Sequence, residues 1–105
     1  MAGKPVVART TAGVDIDAAF EQYLITAGPE VASRFMDALE VAFSHISRHP
    51  GTGSPRYAHL LQLPGLRSWP LTRFPYLVFY METPHEIDVL HVLHGSMDLP
   101  EWLDH

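Results

Sequence analysis

Cysteine is absent from the 105 residues. Disulfide staples and thiolate chemistry are therefore excluded, and a reducing compartment suits the chain; the expected location is the cytoplasm. Positive charge is scarce: seven Lys and Arg face twelve Asp and Glu, for a net charge of −5, and Lys4 is the one lysine. A protein that grips nucleic acid needs a basic stripe, because phosphate contacts supply much of the affinity. Here the basic residues gather only loosely at Arg56, Arg67 and Arg73. The partner is expected to be a protein, with no direct binding of nucleic acid. Long apolar runs are missing too. The longest, YLVFYM at 76–81, is far short of the ~18 residues of a membrane span. MAGKPVVARTTAG at the start has no apolar core of an export signal. No linker or repeat interrupts the chain, so residues 1–105 are expected to form one domain.

What is present reads as alternating elements. VVART at 6–10 is β-branched and predicts a first strand. Thr11 is placed to cap a helix. In that helix Ile16, Ala19, Phe20, Tyr23, Leu24 and Ala27 share one stripe. Gly28-Pro29 ends it, and Pro29 opens a second helix with Val31, Phe35, Ala38, Leu39, Ala42 and Ile46 on its apolar face. Pro50-Gly51 stops this helix. TGSPRYAHLLQLPGL reads as a loop, with Pro64 and Gly65 at the centre of a type II turn. Strands follow at 66–71, 76–81 and 87–94. Pro70 cannot donate to a ladder, which puts the first of these at an edge or a bulge. DLPEWLDH at the end is expected to form a last helical turn or to fray. The order is β-α-α-β-β-β. The expected fold is α+β, a two-layer sandwich with a helical hairpin on one face of a small, mainly antiparallel sheet.

Tyr76, Val78 and Tyr80 alternate with Leu77 and Phe79, so both faces of this strand are large and apolar. Strands apolar on both sides are covered on both sides. With helices expected on one side only, the other side or the hairpin groove is expected to be completed by another chain. Trp69, Phe74, Tyr76, Phe79 and Tyr80 form an aromatic group, most of it core. His91 and His94, three apart in a strand, point to opposite faces and cannot close on one metal. His94 reads as a strand-end histidine bonded to nearby backbone. His91 either packs on the sheet or belongs to a partner surface. His45 and His49 have the spacing of a two-histidine clip, but no third ligand is in register, and a cation at a helix C-terminus needs no ligand role. Neither a metal nor a cofactor is expected.

HPGTG, LPGLRSWPL, FPYLVFY and VLHGSMDLP, set after a helical pair containing SRF, resemble the RelE/ParE toxin superfamily over almost the whole chain. Within it the chain looks most like ParE-type toxins, a group associated with plasmid stabilisation. The resemblance implies a toxin of a type II toxin–antitoxin system, held inactive by a cognate ParD-like antitoxin whose C-terminal segment wraps it. RelE-like members cut messenger RNA on the ribosome, whereas ParE-like members act on DNA gyrase. RNA cleavage by 2′-hydroxyl attack needs a base, an acid and cationic stabilisation of the phosphorane. This chain has no lysine after Lys4, no arginine after Arg73 and no tyrosine after Tyr80. His91 and Met97 stand where many relatives carry arginine. The resemblance therefore implies a gyrase inhibitor without catalytic residues. The alternatives are a ribonuclease with Arg56, Arg67, Arg73 and His94 as a reduced catalytic set, or an inactive relative kept to bind antitoxin.

Arg67 and Arg73 bracket the expected edge strand. They are either solvated hairpin charges or anchors for antitoxin carboxylates, since arginine pairs with carboxylate in bidentate fashion. Arg56 and Tyr57 in the long loop are expected to join them. The full partner-binding set expected is Arg56, Tyr57, Arg67, Trp69, Arg73, Tyr80, His91 and His94. A homodimer, or a hetero-oligomer with antitoxin, is compatible with it.

Overall fold

Helix α1 spans Thr10–Ala27 and helix α2 spans Pro29–Arg48, in a computed structural model that describes residues 3–96. Gly28 alone separates them, with φ at 95°, a left-handed backbone that a β-carbon would resist. On α2 the expected stripe is buried: Phe35, Leu39, Ala42 and Ile46 are at most 3% exposed. On α1 it is narrower than the pattern suggests. Ala12 and Ala19 are buried, and Ile16 and Tyr23 pack beside them, but Leu24 is 41% exposed. Thr11 does not cap the helix. Arg9 holds the cap position without a side-chain bond, and the Thr11 hydroxyl donates to the Leu90 carbonyl instead.

The strands are β1 (Val6–Ala8), β2 (Leu66–Pro70), β3 (Tyr76–Glu82) and β4 (Ile87–His94). They lie in the order β1-β4-β3-β2, with β1 parallel to β4 and the other pairs antiparallel. β2 is an edge strand, as Pro70 requires. The type II turn forms as expected: the Leu66 amide donates to the Leu63 carbonyl, and Gly65 has φ at 91°.

The loop expected at 52–66 contains helices. Pro50–Thr52 is a 3-10 turn, and α3 spans Arg56–Leu61. This changes the account of the second sheet face. Val78, Tyr80, Ile87, Val89 and Val92 join α1 and α2 in the main core. Leu66, Phe79 and Leu93 form a second core on the opposite face, with Tyr57, Ala58 and Leu61 packed against it. The Tyr57 ring stands edge-on to Phe79 at 5.3 Å. Both faces are thus covered, as two-sided apolarity demands, but much of the second cover comes from this chain. Leu60 and Leu63 remain 61% and 40% exposed at its outer side.

A register shift in the β3–β4 ladder alters the expected alternation: Phe79 pairs with His91, while Tyr80 pairs with Val89. The extra residue is Leu90, and a bulge of this kind re-aims the side chains that follow it. Val89 therefore faces the helices and Leu93 faces α3, although strict alternation would put both on one face with His91. Since β1 pairs only with residues 87–89 of β4, the rest of that edge is free for α1. The Arg9 amide donates to the Val89 carbonyl, Thr11 reaches Leu90, and the Asp15 carboxylate accepts the Val92 amide at 3.0 Å. Among the described residues no helix is long and apolar enough to cross a membrane. The expected terminal turn of 98–105, and Met97, lie outside the described residues.

Candidate functional site

β2 carries Arg67 and Trp69, β3 carries Tyr76, Phe79 and Tyr80, and the loop after α2 folds over one end of them. Tyr80, fully buried on β3, donates its hydroxyl to the Pro50 carbonyl at 2.7 Å and accepts the Gly53 amide at 3.0 Å. Its cross-strand neighbour Arg67 is half-buried and donates from Nη1 to the Gly53 carbonyl at 2.7 Å. Ser54 and Ser68 then exchange both backbone hydrogen bonds, at 2.8 and 3.0 Å. Gly53 sits under these contacts because nothing larger fits. A β-carbon there would overlap the Tyr80 hydroxyl and approach the Arg67 β-carbon to 2.9 Å. Arg67 and Tyr80 therefore tether the loop; Tyr80 is fully buried, whereas Arg67 keeps part of its surface open to solvent.

Burial raises the Tyr80 phenol above the ordinary value of 10.0, against opposing contributions from the Gly53 hydrogen bond and Arg67. Burial also raises Tyr23, and it raises Tyr76, which Tyr23 pushes further. A phenol harder to ionise when folded loses its proton first in the unfolded chain. Its stabilising contribution is complete below about pH 10 and is lost as pH climbs from there through the folded values. Urea midpoints measured across the alkaline range are expected to fall above about pH 10, with phenolate absorbance from the native protein appearing later than from the unfolded chain. Simultaneous ionisation in the two states would contradict this assignment.

The other expected residues divide between two ends of the sheet. Arg56 lies at the start of α3, exposed, with its guanidinium carbon 5.5 Å from the Tyr57 ring centre. Trp69 faces the helices and stacks on His45 at 4.4 Å and 16°. His45 Nε2 lies 3.2 Å from the Thr52 hydroxyl, and the His49 ring is 5.3 Å away. Among the described residues no third ligand joins them. Arg73 occupies the β2–β3 turn, exposed, with φ at 69°. At the end of β4, His94 stands edge-on to Tyr76 at 5.2 Å, and its Nδ1 accepts the Ser96 amide at 3.1 Å. Gly95 makes the turn, its amide donating to the Pro75 carbonyl. This is the local backbone bonding expected of His94. His91 Nδ1 is 2.9 Å from the Asp15 carboxylate, and both side chains are about five-sixths buried. That pair joins α1 to the bulge, so His91 has a structural use that its position alone did not disclose.

Arg67 pairs with Tyr80 and His94 pairs with Tyr76. Four residues along β3 separate these levels, roughly 13 Å at strand rise. Arg56 and Arg67 therefore lie toward one end of the sheet, and Arg73 and His94 toward the other. Sequence reasoning missed three residues: Asp15, Gly53, and Arg34 on α2, which shares a groove with Arg73.

One family model, described as the ParE toxin of the type II toxin–antitoxin system parDE, matches this chain over residues 6–99. The chain belongs to the ParE toxin family. A solved structure titled as the chromosomal ParDE system from P. aeruginosa superposes with a TM-score of 0.74 at 22% identity, covering 89% of this chain and 97% of that one. At that identity the likeness concerns the fold. No curated protein matches. The α+β architecture and the toxin–antitoxin affiliation expected from the sequence stand together with these findings.

Proposed function

We propose that this ParE-family toxin acts in the cytoplasm by binding DNA gyrase, without cutting RNA, and that a cognate ParD-like antitoxin neutralises it. The observation that carries the proposal is the separation of Arg56 and Arg67 from Arg73 and His94, with Arg67 already held by the Gly53 carbonyl. A phosphorane needs its cations and its proton-transfer groups within about 3 Å of the reacting atoms. With a net charge of −5, the chain also lacks the field that would draw a phosphate backbone to it. A protein target needs neither feature.

Expression without antitoxin is expected to arrest growth, induce DNA-damage signalling and leave translation running. Purified protein is expected to inhibit gyrase supercoiling in proportion to its concentration. Arrested translation with messenger cut in the ribosomal A site would overturn the proposal in favour of a ribonuclease. Unimpeded growth would overturn it in favour of an inactive antitoxin-binding relative. Co-expression of a cognate ParD-like antitoxin is expected to restore growth.

A further inference from the structure

The charges of this chain are unevenly distributed. Residues 41–81 hold Arg48, Arg56, Arg67 and Arg73 and not one Asp or Glu. All twelve acidic residues lie outside that segment, with only Lys4, Arg9 and Arg34 among them. A stretch of single sign in an otherwise acidic protein marks a surface complementary to negative charge on something else. Helix α3, Arg56–Leu61, lies inside it.

The two sides of α3 differ. Tyr57, Ala58 and Leu61 pack on the second core. Arg56 and Leu60, i and i+4 neighbours on one helix face, are exposed. Gln62 closes the helix with φ at 53°, a left-handed backbone uncommon for a side chain of this size. That turn lets the Leu63 amide donate to the Ala58 carbonyl at 3.0 Å, which holds the exposed Leu63 at the end of α3. Among the described residues the ion pairs are Lys4–Glu82, Arg9–Glu86, Arg9–Asp88 and His91–Asp15. Arg56 enters none of them, and its guanidinium lies over the Tyr57 ring. Arginine and tyrosine are residues in which binding energy concentrates, and the two leucines add apolar area beside them.

We propose that the outer face of α3 is where this toxin docks its protein target. Apolar side chains of the target cover Leu60 and Leu63, and a carboxylate pairs with Arg56. The assignment rests on the gyrase inhibition proposed above and adds which face of the toxin makes it, and with what chemistry. An antitoxin segment that wraps the toxin fits this spot less well. α3 rises only about 9 Å, a short track. An extended segment has no edge to join beside it, because β2 is already paired at Ser68 with Ser54 in both directions and Pro70 has no N–H to offer. A phosphate backbone would need a row of cations, and Arg56 is the one arginine on α3. A folded protein needs only a compact cluster.

The test is calorimetric titration of purified gyrase with the full chain, with inhibition of supercoiling followed in parallel. Leu60→Glu combined with Leu63→Glu is expected to weaken binding at least about tenfold, and Arg56→Glu to do likewise. The concentration needed for inhibition is expected to rise by the same factor. All three positions are exposed, so melting temperatures are expected to match the parent. Val14→Glu with Ile25→Glu places the same two charges at exposed side chains of α1 and is expected to leave gyrase binding unchanged. Full affinity in the α3 variants, or equal weakening by the α1 pair, would overturn the face while leaving gyrase inhibition intact. Loss of binding to a cognate antitoxin in the α3 variants, with gyrase binding retained, would overturn it in favour of the antitoxin. Failure of the parent chain to bind gyrase would overturn both proposals. If the glutamates lower the melting temperature, Arg56→Gln with Leu60→Gln decides: retained affinity overturns the proposal, and loss supports it.

Discussion

Phe35→Ala is expected to cost about 3–5 kcal/mol of folding stability, the range for truncating a large buried aromatic. A chain of 105 residues has roughly 5–15 kcal/mol in total, so this one change removes a large share. Phe35 is fully buried in the middle of α2 and touches three rings: Tyr23 of α1 at 5.4 Å, Phe74 of the β2–β3 turn at 5.6 Å, and Tyr76 of β3 at 5.4 Å. The two pairs to the turn and the sheet are edge-on, at 76° and 64°. In that geometry the positive ring edge meets a negative ring face, adding roughly 0.5–1.5 kcal/mol per pair beyond area burial. One side chain thus fastens the hairpin to the sheet and to the turn that carries Arg73. Urea denaturation of Phe35→Ala and Phe35→Leu measures the effect. Leucine refills much of the volume without the ring contacts and is expected to lose less than alanine. A loss below about 1.5 kcal/mol for alanine would mean that the hairpin collapses onto the gap, contrary to the close-packed cluster described.

Much of this architecture was legible because its signals are local. IDVLHVLH became β4 at residues 87–94 without adjustment, and α2 begins at Pro29, where a fixed φ favours a helix start. What escaped depends on contacts made across the chain. RYAHLL became α3, but six residues are too few to display a 3.6-residue period, and Pro55, Pro64 and Gly65 around it spell turns. It is helical because Tyr57 and Leu61 can cover Phe79, which only the folded sheet places beneath them. The bulge at Leu90 is invisible for a similar reason, being a relation between β3 and β4. Its consequence, His91 against Asp15, joins residues 76 apart in sequence.

The candidate site shows the same division. Two-sided apolarity on YLVFY correctly demanded two covers, and the sequence could not say that α3 supplies much of the second. Arg67 was expected at the surface because it brackets an edge strand. The β2 edge is in fact folded under residues 50–54, and Arg67 spends a donor there. Arg73, expected on similar grounds, does remain exposed. Two arginines six residues apart, read alike in the sequence, thus differ in their surroundings, because a loop distant in sequence reaches only the first.

Gly53→Ala is expected to cost about 2–4 kcal/mol, combining the strain of overpacking with loss of a buried hydrogen bond. The cost does not arise from backbone freedom: Gly53 has φ at −65°, which alanine adopts readily. It arises from space. The added carbon would lie 2.9 Å from both the Arg67 β-carbon and the Tyr80 ring, and closer still to the Tyr80 hydroxyl. Strands β2 and β3 hold those atoms, so the loop must lift. Lifting it breaks the bonds from Tyr80 to Pro50 and Gly53, and the bond from Arg67 to Gly53. Tyr80→Phe provides the control. It removes the hydroxyl that alanine would strike, but it leaves the buried Gly53 amide without a partner, at about 1–3 kcal/mol. If overlap with the hydroxyl dominates, the two changes are less than additive, because the phenylalanine background gives the new methyl group room. Urea midpoints of the two single variants and the double variant close this cycle. Strict additivity, or a cost below about 1 kcal/mol for Gly53→Ala, would show that the loop does not rest on Tyr80 in solution. Arg67 would then be released from the loop and become available to the catalytic set that the ribonuclease reading requires.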